Sequence, residues 1–189
     1  MKTLKKVLCA LFALCLALSL CACASDAGDK TLVVGASPAP HAEILEFVAP
    51  MLAEQGITLQ IEEFTDYVLP NQALESGDLD ANYFQHLPYL LNYDESTGAT
   101  LVSAGSIHFE PLGIYAGRCS DLANVPDGAV IAVPNDATNE ARALQLRAAQ
   151  GLITLPEGAG LDVTARDVVD NPHNIEFLEI AAEQVPRTL

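Results

Sequence analysis

In the stretch Leu32-Val33-Val34-Gly35-Ala36-Ser37-Pro38 an apolar run passes directly into a turn. Residues 32–34 are predicted to form a buried strand, and the apolar spacing of residues 42–55 predicts an amphipathic helix. Pro50 lies inside that helix and should kink or split it. A strand, a turn and a helix in this order are the first unit of an α/β fold.

Strand-like and helix-like segments alternate through the rest of the chain. Strands are predicted at residues 59–64, 80–84, 113–115, 129–133 and 175–180, with an extended run at 100–103, and helices at 71–75, 87–93 and 138–150. The run Phe109-Glu110-Pro111-Leu112 is expected to cross between two groups of elements. This pattern suggests a two-lobed α/β fold, with lobes at residues 31–110 and 111–189 and a ligand cleft between them. A single doubly wound domain is the alternative, and the length of the chain suits it equally.

The first residues have the layout of a bacterial export signal. Lys2, Lys5 and Lys6 precede an uncharged apolar run at residues 7–20, which is too short to cross a bilayer. The following Leu20-Cys21-Ala22-Cys23 resembles a lipobox, whose cysteine receives a lipid. We predict a signal peptide at residues 1–22, acylation of Cys23 and a flexible tether to residue 30, which together anchor the protein on the extracytoplasmic side of a cell membrane.

Charge and cysteine content limit the possible partners. The net charge is −16, and after the three lysines of the signal only six basic residues face 25 acidic ones. A surface this acidic repels phosphate groups, so nucleic-acid binding is disfavoured. Once the signal has left and Cys23 is acylated, Cys119 is the remaining thiol, and no disulfide can form.

The densest run of ligand-capable side chains is Asn82-Tyr83-Phe84-Gln85-His86-Leu87-Pro88-Tyr89, where a predicted strand passes into a helix. The spacing of Phe84, His86 and Tyr89 lets one strand-to-helix turn direct all three into a concavity. Tyr67 follows another strand and is a candidate for the same wall. The alternative is that the aromatic residues belong to the core and that His86 is a hydrogen-bonded surface histidine.

A second candidate region is Val133-Pro134-Asn135-Asp136-Ala137-Thr138-Asn139, which ends a strand and begins a helix. Asp136 or Thr138 is expected to cap that helix. Arg142 lies in its first turn, where its guanidinium can bind a carboxylate in a fork. The alternative is an ion pair between Arg142 and one of the many surface acids.

Signals for catalysis are weak, and we expect no enzyme activity and no cofactor. Gly35-Ala36-Ser37-Pro38-Ala39 lacks the second glycine of a nucleophile elbow, and neither a phosphate-binding glycine loop nor a zinc-type cysteine and histidine spacing occurs. A metal receptor built from His41, His86 and His108 stays open as an alternative function, as do an envelope enzyme and a lipoprotein without a ligand.

At these same residues the sequence resembles the NlpA lipoprotein family, the methionine-binding lipoproteins of ABC importers. The resembling segments are Val34-Gly35-Ala36-Ser37-Pro38, Pro40-His41-Ala42-Glu43-Ile44, Phe64-Thr65-Asp66-Tyr67-Val68-Leu69-Pro70-Asn71, Asp80-Ala81-Asn82-Tyr83-Phe84-Gln85-His86, Glu110-Pro111-Leu112-Gly113-Ile114-Tyr115, Val133-Pro134-Asn135-Asp136, Thr138-Asn139, Arg142, Leu144, Asp170-Asn171-Pro172 and Gln184-Val185-Pro186-Arg187. Together they extend over almost all of residues 32–189.

The resemblance implies a periplasmic-binding-protein fold of type II that closes around methionine and presents it to an ABC permease and its ATPase. The residues implied to bind the ligand are Tyr67, Phe84, His86 and Tyr89 around the thioether, Arg142 at the α-carboxylate, and Asn139. D-Methionine or a methionine-containing dipeptide is the alternative ligand. Family members continue past the position of Leu189, so we expect a truncated second lobe and an incomplete return to the first.

Overall fold

The computed structural model describes residues 30–189, which form an α/β fold with two parallel sheets. The strands are β1 (Lys30–Ala36), β2 (Ile57–Glu63), β3 (Ala81–Tyr83), β4 (Val130–Pro134) and β5 (Glu176–Ile180). The α-helices are α1 (Glu43–Ala53), α2 (Leu69–Ser76), α3 (Leu87–Thr97) and α4 (Ala137–Ala149). Short helical turns lie at Pro38–Ala42, Leu122–Asn124, Ala165–Asp167 and Ala182–Thr188. The predicted signal peptide and Cys23 lie outside the described residues.

The first sheet has the strand order β2-β1-β3, and both pairs are parallel. Val34 of β1 lies opposite Ile61 of β2 and Ala81 of β3. Parallel neighbours must be joined by a crossover, which α1 supplies between β1 and β2 and α2 supplies between β2 and β3. The three strands therefore end at one edge of the sheet, where the chain after β2 and the chain after β3 emerge close together.

The second sheet pairs β4 with β5, again in parallel. Helix α4 follows β4 and packs against it. Leu144 of α4 and Val133 of β4 are fully buried, and a hydrophobic core forms under the helix. Its buried members are Val125, Leu144, Leu152, Ile153 and Ile175.

Most predicted elements are confirmed with small shifts at their ends. Two expectations are wrong. Helix α1 runs through Pro50 as one element, so the expected split does not occur. No strand forms at residues 113–115, because a strand needs a neighbour for its backbone hydrogen bonds and none of the strands in residues 30–189 runs beside this segment. Among the helices described in this range, none is long and apolar enough to cross a bilayer.

Candidate functional site

Four predicted site residues lie at the carboxyl edge of the first sheet. Tyr67 is in the loop after β2, and Phe84 directly follows β3. His86 has an extended backbone and immediately precedes α3, whose first turn carries Pro88 and Tyr89. Proline is well tolerated in a first helical turn because its missing N–H has no intrahelical acceptor there. The short passage from β3 to α3 thus gathers three of the four side chains.

These four rings form one continuous cluster, called here the aromatic wall (Tyr67, Phe84, His86 and Tyr89). The Phe84 centroid lies 6.0 Å from that of Tyr67 and 5.9 Å from that of Tyr89, and the Phe84 and Tyr89 planes meet edge to face at 77°. The ring centroids of His86 and Tyr89 are 6.5 Å apart. The Tyr89 hydroxyl donates a hydrogen bond to the Tyr67 carbonyl at 2.8 Å, which ties α3 to the loop after β2. The wall is therefore held by its own contacts.

A buried amide network supports the wall from behind, and sequence reasoning did not identify it. Asn71 is fully buried at the start of α2. Its Nδ2 donates to Gln85 Oε1 at 3.0 Å, while its Oδ1 accepts from Gln85 Nε2 at 2.7 Å and from Asn82 Nδ2 at 2.8 Å. The network thus holds Asn82 and Gln85, which lie before and after Phe84 in the sequence. Gln85 also directly precedes His86. A buried asparagine at a helix start gives no sequence signal by itself, because asparagine is also common at exposed helix ends.

The second predicted region forms a chain of polar contacts in the first turn of α4. Asp136 is the N-cap and accepts a hydrogen bond from the Asn139 backbone N–H at 3.0 Å, which confirms one of the two expected caps. Asn139 Nδ2 donates to both carboxylate oxygens of Asp136, at 3.0 and 3.1 Å. Asn139 Oδ1 then accepts from Arg142 Nη1 at 2.8 Å.

Arg142 also contacts the segment that was expected to cross between the two groups of elements. Its Nη2 donates to the Glu110 backbone carbonyl at 3.3 Å. The predicted alternative for Arg142 was an ion pair with a surface acid, and both hydrogen bonds of its guanidinium go instead to neutral oxygens. Its positive charge is therefore available to bind an anionic group of a ligand.

Charge effects link Arg142 to the aromatic wall. Burial lowers the pKa of His86, the positive charge of Arg142 lowers it further, and Asp136 opposes both. Burial, followed by the charges of Asp136 and Asp66, raises the pKa of Tyr89 to about 12. The wall is thus uncharged at neutral pH. His86 Nε2 is buried and has no hydrogen-bond partner among residues 30–189, which is unusual for a polar atom out of water.

All six predicted ligand-binding residues line one cleft: Tyr67, Phe84, His86, Tyr89, Asn139 and Arg142. The cleft has a volume of about 2340 Å³. Pockets for small molecules measure roughly 300 to 1,000 Å³, so this one is open and wider than a single small ligand. A cleft lined by both the aromatic wall and the Arg142 guanidinium suits a ligand with one apolar and one anionic end.

The histidine alternative is only partly supported by the geometry. His41 and His108 lie together, with ring centroids 5.1 Å apart, and Glu110 joins them. His86 lies apart from this group, because its ring packs on Tyr89 in the aromatic wall. The carboxylate of Glu110, which sequence reasoning placed only in the crossing, takes the third position. Cys119, the cysteine within residues 30–189, is a free and partly buried thiol.

Residues 32–189 match the family described as NlpA lipoprotein. The chain is 42% identical over 161 residues to the methionine-binding lipoprotein MetQ of Bacillus subtilis, which covers 84% of this chain and 59% of that protein. It therefore spans less than two thirds of the length of this relative.

Solved structures agree with the family match. Lipoprotein Tp32 from Treponema pallidum superposes with a TM-score of 0.80 at 42% identity, covering 84% of this chain and 66% of that one. A nutrient binding protein from Burkholderia cenocepacia, solved bound to methionine, superposes with a TM-score of 0.80 at 42% identity, covering 84% of this chain and 67% of that one. The predicted α/β fold of the periplasmic-binding-protein type is thereby confirmed, and the chain belongs to the NlpA lipoprotein family.

Proposed function

We propose that this protein captures methionine, or a close analogue, in the cleft between the aromatic wall and Arg142. The observation that carries the proposal is the juxtaposition, in one open cleft, of an uncharged aromatic cluster with a guanidinium that has no carboxylate partner in the described part of the chain. Two relatives support the choice of ligand. One is named a methionine-binding lipoprotein, and the structure of the other holds methionine.

Each end of methionine has a suitable partner in this arrangement. A thioether is polarizable and packs favourably at aromatic edges, so Tyr67, Phe84 and Tyr89 would surround the side chain. Arg142 would bind the α-carboxylate through charge-assisted hydrogen bonds, oriented by Asn139. The unpartnered Nε2 of His86 would pair with a polar atom of the ligand or a bridging water.

The wider role follows from the predicted N-terminus. A lipid on Cys23 would hold the protein on the extracytoplasmic side of the cell membrane, where it meets incoming amino acids. Residues 31–110 and 111–189 would act as two lobes that close on the ligand and present it to an ABC permease and its ATPase. The acidic surface, with a net charge of −16, suits free diffusion of a small zwitterion rather than nucleic-acid binding.

Binding without catalysis fits the side chains better than an enzyme does. The contact most like a nucleophile and base pair joins Ser37 Oγ and His41 Nδ1 at 2.6 Å. Ser37 is buried and does not line the cleft, so a substrate there would not meet its hydroxyl. The proposal therefore includes neither a chemical step nor a cofactor.

A thermal-unfolding panel tests the proposal. A ligand that binds only the folded state adds about 2.7 kcal/mol at a concentration 100 times its Kd, which raises the Tm by roughly 5 to 10 °C for a chain of this size. We expect this rise with L-methionine. L-Glutamate and L-lysine are matched controls, because each has the same backbone charges and an unsuitable side chain, and neither should raise the Tm.

The same panel separates the candidate ligands. A larger rise with D-methionine or with a methionine-containing dipeptide would keep the receptor function and change its ligand. A chain that circular dichroism shows to be folded, and whose Tm responds to none of the three, would contradict the proposal.

A further inference from the structure

A second group of side chains lines another part of the same cleft, and the proposed function does not use it. His41, His108 and Glu110 offer nitrogen and carboxylate oxygen atoms that all lie within 4.8 Å of one another. The closest pair is His108 Nε2 and Glu110 Oε1, at 3.0 Å. Three such atoms around one point resemble a metal-binding site more than a chance surface grouping.

The Nδ1 atoms of both imidazoles are hydrogen-bonded to hydroxyl groups. His41 Nδ1 hydrogen-bonds to Ser37 Oγ at 2.6 Å, and His108 Nδ1 hydrogen-bonds to the Tyr83 hydroxyl at 2.5 Å. The Tyr83 ring also meets both imidazoles edge to face, 4.7 Å from His41 and 5.5 Å from His108. A metal-binding histidine usually has its second nitrogen held in this way, which fixes the ring and its tautomer. Neither Nε2 atom takes part in these two hydrogen bonds, and that of His108 already faces Glu110 Oε1.

We propose that His41, His108 and Glu110 bind a divalent transition-metal ion of the Zn²⁺ class, with a fourth position open to water. Adjacent ligands of a tetrahedral Zn²⁺ lie about 3.3 Å apart, given bonds of roughly 2.0 to 2.1 Å to nitrogen and oxygen. The 3.0 Å separation of His108 and Glu110 already fits this spacing. His41 lies at most 4.8 Å from the ligand atoms of His108 and Glu110, so it would need to approach them by about 1.5 Å at most to reach the tetrahedral spacing.

The surroundings allow both that approach and access for the ion. His41 is buried, whereas the Glu110 side chain is 52% exposed. Glu110 and His108 lie in a segment without helix or strand, so their backbone can shift without breaking regular structure. Two imidazoles and one carboxylate with an open position match the ligand set of many Zn²⁺ sites.

The proposed metal site is also connected to Arg142 through Glu110. Its side chain belongs to the metal group, while its backbone carbonyl accepts the hydrogen bond from Arg142 Nη2. An ion on this carboxylate would therefore steady the segment that helps to orient Arg142. The metal site itself does not depend on methionine binding, so it is tested in the absence of any amino acid.

The test is isothermal titration calorimetry of the tag-free full chain in detergent with ZnCl₂, after removal of metals with EDTA. We expect one Zn²⁺ per chain, and Co²⁺ in its place should give the intense visible absorption of a four-coordinate ion. His108→Ala should weaken Zn²⁺ binding by more than about 100-fold, and Ser37→Ala, which removes only an orienting hydroxyl, by about 10-fold. His173→Ala, at a histidine outside the group, is the matched control and should bind as the wild type does.

The nearly isosteric variant Glu110→Gln covers the case in which a histidine variant fails to fold, as judged by circular dichroism. It should lose Zn²⁺ binding to a similar extent. If the group is only an ion pair between protonated His108 and Glu110, the wild type will not bind Zn²⁺ saturably. That result would overturn the proposal, as would binding that persists unchanged in both His108→Ala and Glu110→Gln.

Discussion

Arg142 Nη1 donates a hydrogen bond at 2.8 Å to Oδ1 of Asn139, one helical turn earlier on α4. Asn139 is itself held by the N-cap Asp136 through its backbone N–H and its side-chain amide. The guanidinium is therefore oriented through two successive contacts before any ligand arrives. Such preorganisation reduces the entropy lost on binding, so the capping of α4 affects the ligand cleft as well as the stability of the helix.

Replacing the cap should reveal both effects. Asp136→Ala should lower the free energy of unfolding by about 1 kcal/mol, because a helix N-terminus loses its side-chain acceptor. It should also weaken methionine binding, because Asn139 loses the partner that positions it. Urea unfolding and calorimetry measure the two effects.

The matched control for the cap is Asp170→Ala, whose exposed carboxylate caps no helix. It should leave stability and binding within experimental error of the wild type. If Asp136→Ala unfolds at the wild-type urea concentration, the capping role assigned to Asp136 is wrong.

The buried amide network should be needed for the shape of the aromatic wall. Asn71→Ala removes both hydrogen-bonding ends of a fully buried side chain and takes from Gln85 two of its hydrogen bonds, which leaves its Nε2 with only the 3.3 Å contact to Asn82 Oδ1. We expect a loss of about 2 to 3 kcal/mol in the free energy of unfolding, together with weaker methionine binding. The control is Asn92→Ala, on an exposed position of α3, which should change neither quantity. Equal effects of the two substitutions would refute the supporting role of Asn71.

The close packing of β1 gives a prediction about the fold itself. A Cβ added at Gly35 would lie 2.5 Å from Leu79 Cδ1 and 2.9 Å from Phe64 Cε2. Gly35→Ala should therefore cost about 1 to 3 kcal/mol, because the packed side chains of Leu79 and Phe64 must shift to admit the methyl group. Gly105→Ala meets no atom within 4 Å and should be close to neutral, so a pair of thermal unfolding curves decides the matter.

The partly buried His86 predicts a loss of stability in mild acid. Burial chiefly, helped by Arg142 and opposed by Asp136, holds the pKa of His86 below 6.5. The unfolded chain then binds more protons than the folded one as the pH falls, so this contribution is complete above pH 6.5 and is lost below it. Urea unfolding in EDTA at about pH 7 and about pH 5.5 measures the decline.

His86→Gln should make that decline smaller. Burial also lowers the pKa of His41, which contributes in the same direction and remains in the variant. Glu140 has a pKa raised by burial and acts in the opposite direction, and it is common to both proteins. A variant that loses as much stability as the wild type between the two pH values would show that His86 is not the group responsible.

The arrangement of strands and helices could be predicted from the sequence because apolar periodicity is local. Helix α4 and strand β4 came within one residue of their expected ends, since the apolar repeat and the cap at Asp136 both mark the boundary. The strand expected at residues 113–115 was wrong because pairing is not local. Whether an apolar segment becomes a strand depends on a neighbour that its own residues do not specify.

The candidate site shows the same limit. Phe84, His86 and Tyr89 could be grouped in advance because they share one strand-to-helix turn. The contact of Tyr89 with the Tyr67 carbonyl, and that of Asn71 with Gln85, join residues 22 and 14 positions apart. The alternative of a metal receptor built from His41, His86 and His108 meets the same limit, because only the folded chain brings His41 beside His108 and Glu110 while His86 packs on Tyr89.

The central claim is that Arg142 and the aromatic wall hold the two ends of one methionine molecule. Its most direct test is isothermal titration calorimetry of L-methionine against the wild type, Arg142→Ala and, as a control, Arg166→Ala on an exposed turn. We expect saturable binding of one methionine by the wild type and by Arg166→Ala, and a loss of at least about 2 kcal/mol, or roughly 30-fold, in Arg142→Ala. Equal affinity in Arg142→Ala and the wild type, both folded by circular dichroism, would contradict it.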